Sequence, residues 1–100
     1  MGSGFEKRVM RITAYTAHDA NMRGDGITAS GVKAVGGVTV AADKAIPLGT
    51  QIVIPELNMT LTVQDRGGAI HGNRLDVFMD KRSDALEFGI KTLEAWVIKS

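Results

Sequence analysis

Val63-Gln64-Asp65-Arg66-Gly67-Gly68-Ala69-Ile70-His71-Gly72-Asn73-Arg74-Leu75-Asp76-Val77-Phe78 carries most of the information in this 100-residue chain. An aspartate stands at each edge of a glycine-rich loop. Met59 to Gln64 before it alternates strictly, with Met59, Leu61 and Val63 on one side and Thr60, Thr62 and Gln64 on the other. That is the signature of a half-buried strand. Leu75 to Met79 reads as the next strand. Gly67, Gly68 and Gly72 permit backbone conformations and close approaches that side chains forbid. Two acids on a strand-held loop suit acid/base chemistry on an extended substrate. The same pattern also fits a hairpin whose aspartates bind their own turn amides.

Outward from this loop, strand signals continue. Val9 to Thr16, Gly37 to Ala42, Thr50 to Ile54 and Thr92 to Ile98 each mix β-branched and apolar residues between turn signals. Pro47 and Gly49 mark a tight turn after Asp43, and Pro55 stops the third strand. Ser83 is the expected N-cap of a short helix over Asp84 to Phe88, closed by Gly89. His18 to Gly37 is a polar, glycine-rich excursion, a length of loop that is usually functional or mobile. Val38 to Ile54, as strand, Asp-containing turn, glycine, strand, is echoed by Leu75 to Ile98, as strand, short helix, glycine, strand. The expected fold is all-β with one or two short helices, a pseudo-two-fold closed barrel of six strands. Residues 1–8 are expected to be a tag scar or disordered start, and residues 9–100 a single domain.

Composition excludes several classes. The net charge is +1, and the aromatics are few and scattered, which argues against nucleic acid as a partner. Without cysteine there is no disulfide scaffold, thiol nucleophile or thiolate metal site. His18 and His71 are the only histidines and show no metal-ligand spacing, so no metal and no cofactor is expected. No apolar run is long enough for a signal peptide or membrane insertion. A trimmed export signal or anchor is compatible with the scar-like start. No Ser-His-Asp set is recognisable. Nothing bears on oligomeric state.

Several segments in order then resemble one family: Thr13-Ala14-Tyr15-Thr16-Ala17, Thr28-Ala29-Ser30-Gly31, Val40-Ala41-Ala42-Asp43 with Ile46-Pro47-Leu48-Gly49-Thr50, the loop from Asp65 to Phe78, and Asp84-Ala85-Leu86 with Gly89. The set is similar to the 3D domain, named for three aspartates. That domain occurs in stationary-phase survival muralytic enzymes and in the core of membrane-bound lytic transglycosylase A. The match runs over about residues 9–98. The resemblance implies a double-psi β-barrel and a location in the cell envelope or outside the cell, or a phage origin. The three aspartates fall on Asp43, Asp65 and Asp76. Arg66 stands where the family has Thr, and His71 where Lys is common. An aspartic-protease half is a poorer match, because Asp65-Arg66-Gly67 lacks the hydroxyl such sites use.

The resemblance further implies a lytic transglycosylase that cleaves the MurNAc–GlcNAc β-1,4 bond of peptidoglycan without water. Asp76 matches the acid/base. Asp65 either repels a second negative charge at Asp76 or holds it by a hydrogen bond. Tyr15, Thr16, Thr28, Ser30, Arg66, Gly67 and Gly68 are the expected substrate contacts. Each also has a local alternative: Tyr15 as barrel packing, Thr28 and Ser30 as turn bonding, Arg66 as a surface ion pair, and the glycines as purely conformational. Asp43 reads as a structural Asx-turn residue. The other reading of the whole is a non-catalytic peptidoglycan-binding or structural module of a wall or phage protein.

Overall fold

The computed structural model describes residues 4–18 and 26–99. Six strands occur in the order β1 (Gly4–Tyr15), β2 (Thr39–Ala42), β3 (Gln51–Ile54), β4 (Met59–Asp65), β5 (Arg74–Phe78) and β6 (Lys91–Lys99). One helix, α1 (Arg82–Phe88), lies between β5 and β6, and a 3-10 turn (Pro55–Leu57) follows β3. The strands close into a barrel in the order β1-β5-β2-β4-β3-β6. The pairs β1·β5 and β2·β4 are parallel, and the rest are antiparallel. The segments β2-β3-β4 and β5-β6-β1 therefore repeat one set of pairings about a pseudo-two-fold axis. This is the mainly-β double-psi arrangement that the resemblance implies.

Alternation in the strands sorts the side chains into two groups. Met10, Ile12, Val40, Ile52, Leu61, Val63, Leu75 and Val77 fill the barrel interior and are fully buried. Burying each such side chain contributes about 1.5–3 kcal/mol before entropy is counted. A second cluster lies on the outer face: Tyr15, Ala34, Ala41, Ile70 and Phe78. Tyr15 and Phe78 are strand partners, and their rings meet edge to face at 5.4 Å. This outer cluster is the ground on which the candidate site is built.

The first strand begins at Gly4, five residues before Val9, so residues 4–8 belong to the barrel rather than to a disordered start. They pair with β6 from Gly4↔Lys99 to Arg8↔Ala95. Phe5 stacks on Trp96 at 4.9 Å, and Arg8 bonds Glu6 at 3.0 Å. The charged run from Glu6 to Arg8 has no local apolar pattern, and its partner lies some ninety residues away, out of reach of a local reading. The helix also starts earlier than expected. Lys81, in extended conformation, occupies the N-cap position with no side-chain cap bond, and Ala85 N–H bonds the Lys81 carbonyl. Ser83 lies inside the helix, while Gly89 ends it with φ of 65°. The long excursion falls partly outside the described residues. Residues 26–38 are irregular apart from a bridge between Ile27 and Lys33.

One irregularity in the sheet bears directly on the site. Along β2 and β4, Val40 faces Val63 but Ala41 faces Asp65, so Gln64 is an extra residue, a β-bulge.

Candidate functional site

Four strands present one residue each in a single row. Thr13 of β1 is opposite Asp76 of β5, Asp76 is opposite Ala41 of β2, and Ala41 is opposite Asp65 of β4. Residues directly opposite in a sheet share a face. The two aspartates therefore flank Ala41 from either side, roughly 10 Å apart at the backbone for two strand spacings. All four residues line one cleft of about 320 Å³, together with Tyr15, Arg66, Gly67, Ile70 and Arg74. Ala41 is small and buried at its floor.

Each aspartate has fixed partners. Oδ1 of Asp76 accepts a hydrogen bond from the Thr13 hydroxyl at 2.9 Å. Asp65 is 8% exposed; its Oδ2 accepts from the Tyr15 hydroxyl at 2.8 Å, and its Oδ1 accepts from the Ala29 amide at 2.9 Å. Buried carboxylates without partners are costly, and these bonds satisfy both Asp65 oxygens.

The third aspartate lies apart from the cleft lining and ties loops together. Asp43 Oδ1 accepts from the Ala45 amide at 2.7 Å, the Asx turn expected of it. Its Oδ2 accepts from the Gly72 amide in the β4–β5 loop. These two amides, Ala45 first and Gly72 second, hold the Asp43 carboxyl below the ordinary carboxylate range. Arg66 makes the return connection. Its two terminal nitrogens donate to the carbonyls of Ala42 at 3.2 Å and Ile46 at 2.7 Å. The β2–β3 turn and the loop after β4 are thus latched by a side chain from each, with the turn accepting every bond and the loop donating it.

The expected substrate contacts divide accordingly. Tyr15, Arg66 and Gly67 line the cleft, but the Tyr15 hydroxyl is directed to Asp65 and the Arg66 fork to main-chain carbonyls. Those carbonyls, rather than a ligand carboxylate or a neighbouring aspartate, occupy the Arg66 fork because the adjacent turn comes within its reach. Thr16, Thr28, Ser30 and Gly68 are not among the cleft-lining residues. Thr16 is buried and accepts from the His18 amide. Thr28 donates to the Val32 carbonyl at 2.7 Å and shares a bond with the Ser30 hydroxyl. Both belong to the segment that delivers the Ala29 amide to Asp65. Gly67 is required by space, since a Cβ there would come within 2.8 Å of Ile70 Cγ1. Gly68 meets nothing within 4 Å.

Thr13, Ala41 and Ile70 carry no assigned role in the sequence reading, although they line the cleft; Arg74, expected with Asn73 to shape the loop and shield Asp76, lines it too. Thr13 stands two residues before Tyr15, so strand periodicity alone puts it on the same face. Arg74 donates to the Ala69 carbonyl at 3.0 Å and shapes the loop. Among the described residues, no three His, Asp or Glu side chains are grouped to hold a metal ion. A larger hollow, about 450 Å³, lies between the β2–β3 turn and the ends of β1 and β6. It is lined by Glu6, Arg8, Ile46, Leu48, Val97 and Lys99 among others, and by none of the three aspartates.

Comparison with known proteins agrees with this fold. The model of the 3D domain matches residues 38–99. The cell wall-binding protein YocH of Bacillus subtilis (strain 168) is 39% identical over 90 residues, which span 86% of this chain and 30% of YocH. The putative cell wall shaping protein YabE of the same organism is 32% identical over 88 residues, 86% of this chain and 21% of YabE. Two crystal structures of MltA from Escherichia coli, a lytic transglycosylase, share the fold with TM-scores of 0.61 and 0.60, both at 26% identity. They cover 76% and 74% of this chain, and 28% and 27% of MltA. The chain thus corresponds to less than a third of each of these relatives. With its matched model, its relatives and its closed barrel, this chain belongs to the 3D domain family.

Proposed function

We infer that this domain acts on peptidoglycan in the cell envelope or outside the cell, as a lytic transglycosylase with Asp76 as its acid/base. The observation that carries this reading is the register of Asp65, Ala41 and Asp76 across three neighbouring strands in one cleft. Supporting it are the likeness to MltA and the wall-related names of the relatives.

The chemistry needs one carboxyl group used twice. Asp76 gives its proton to the glycosidic oxygen as the bond from C1 of MurNAc breaks. GlcNAc leaves as the new hydroxyl-bearing end. The Asp76 carboxylate then takes the proton from the C6 hydroxyl of MurNAc, and that oxygen bonds to C1. The product is a 1,6-anhydro ring, the proton returns to Asp76, and no water is consumed. This differs from hydrolytic glycosidases, in which two carboxyl groups divide the work. The Thr13 hydroxyl fixes one Asp76 oxygen and hence the plane of the group. Asp65, held by Tyr15 and Ala29, supplies negative charge across Ala41 from the acid, where a sugar carbon becoming cationic gains from it.

Incubation with purified peptidoglycan, followed by mass spectrometry of the released sugars, tests the reading. Anhydro ends support it. Reducing ends make the domain a hydrolase using the same cleft. A second reading, a wall-binding module without turnover, is favoured by the name of YocH. Sedimentation of the protein with peptidoglycan and no released sugar identifies that case.

A further inference from the structure

In β4, Leu61 and Val63 both point into the barrel and are fully buried. Strict two-residue alternation carries Asp65 to that same interior side, among the side chains of the core. Instead Asp65 is opposite Ala41, which belongs to the outer cluster, and it bonds Tyr15 on that outer face. The extra residue at Gln64 makes the difference, since a one-residue slip exchanges the two faces of a strand.

The bulge is fastened on both sides. Gln64 is skipped in the register with β2, and its carbonyl accepts a hydrogen bond from the Ser30 amide at 3.0 Å. Its side-chain oxygen accepts from the Thr39 hydroxyl at 2.6 Å. Thr39 is fully buried, and its hydroxyl in turn accepts from the Val35 amide at 2.9 Å. A chain of bonds from Val35 through Thr39 to Gln64 thus clamps the one position that breaks the alternation. The adjacent Ala29 amide then meets Asp65 itself.

We propose that Gln64 and Thr39 are positioning residues of this site: their hydrogen bond locks the bulge that turns Asp65 out of the core and into the cleft. Neither residue lines the cleft. Their geometric role stands on contacts alone, and its consequence for turnover rests on the transglycosylase reading.

The test replaces Thr39→Val, which keeps shape and removes the hydroxyl, and Gln64→Asn, which keeps the amide but draws it back by one methylene. Thr39→Ser restores the hydroxyl. Tyr15 is the only tyrosine of the chain, so the NMR signal of its hydroxyl proton reports the bond to Asp65 without reference to any activity. The expected result is that this signal is lost to solvent exchange in folded Thr39→Val and Gln64→Asn and regained in Thr39→Ser. Release of anhydro sugars then falls about tenfold or more in kcat with KM nearly unchanged, since the group lost acts on the reacting bond. An intact Tyr15 signal in both folded variants overturns the proposal, whatever happens to turnover. A parent protein that releases no sugar removes the function reading, and the Tyr15 signal still decides the role of the bulge.

Discussion

Tyr15, at the end of β1, donates its hydroxyl to Oδ2 of Asp65, at the end of β4, over 2.8 Å and 50 residues of sequence. Two strands that are not neighbours in the barrel are joined by it across the outer face. The bond makes Tyr15 a support of Asp65, while the residue itself lines the cleft. It also turns an outer cluster of apolar residues into a rigid frame for polar ones.

Removing that hydroxyl leaves one Asp65 oxygen without this partner in a buried setting. Tyr15→Phe is expected to lose about 1–3 kcal/mol of stability. For a domain of this size each kcal/mol lowers the midpoint of thermal unfolding by about 4–8 °C. Calorimetry of the two proteins checks it, and an unchanged midpoint contradicts the role given to the bond.

Asp76→Asn retains an oxygen for the Thr13 hydroxyl but has no proton to give and take. The fold is expected to persist, with unfolding close to that of the parent. Release of anhydro sugars should drop at least about 10²-fold, equivalent to about 3 kcal/mol of barrier. Parental rates in this variant would remove Asp76 from the mechanism.

Asp43 links stability to pH. Its folded carboxyl ionises below its ordinary value because the Ala45 and Gly72 amides bond the charged form. A depressed carboxylate contributes stability above its unfolded pKa, and the contribution is lost as pH falls through the folded value. The advantage of the parent over Asp43→Ala should therefore be constant above about pH 5 and shrink progressively below the ordinary carboxylate value near 4. Unfolding midpoints of both proteins between neutral pH and about pH 2 measure the difference. Taking the difference matters, because the Arg8 hydrogen bond also holds Glu6 below its ordinary value.

The paired glycines should behave differently. Gly67→Ala drives a methyl group against Ile70, which closes one side of the cleft, and is expected to cost about 1–3 kcal/mol. Gly68→Ala enters open space without a left-handed backbone, and should stay within about 0.5 kcal/mol of the parent. Equal effects in chemical denaturation would refute the steric account.

The latch at Arg66 invites a further substitution. Lysine keeps the charge but offers one nitrogen in place of a planar fork, and cannot span the Ala42 and Ile46 carbonyls as the guanidinium does. Arg66→Lys should raise hydrogen exchange at the amides of the β2–β3 turn, Ile46 and Gly49 among them, while β1 and β6 stay protected. Uniform protection across the chain would show that the brace is dispensable.

Much of this is legible from residues. Alternation in Met59 to Gln64 and the apolar Leu75, Val77 and Phe78 of β5 mark the strands beside the loop, and the ordered motifs identify the barrel. Asp65 and Asp76 are visible as a pair because short range and family pattern agree on them. The bulge is not visible. No propensity distinguishes Gln64 from its neighbours, and the bond that fixes it comes from Thr39, on another strand. Arg66 misleads in the same way: a cation beside an acid suggests an ion pair, whereas the carbonyls that hold it belong to a turn some twenty residues earlier. Thr28 and Ser30 carry hydroxyls in a loop near the site, but only the fold tells that the amide between them is what reaches Asp65.

The pairing of Gly4 with Lys99 has an outcome for architecture. A polypeptide entering this module leaves it about one strand's width, roughly 5 Å, from where it came in. A pull that separates Gly4 from Lys99 parts β1 and β6 rung by rung, like a zipper, and the damage starts at the far end of that ribbon from Tyr15.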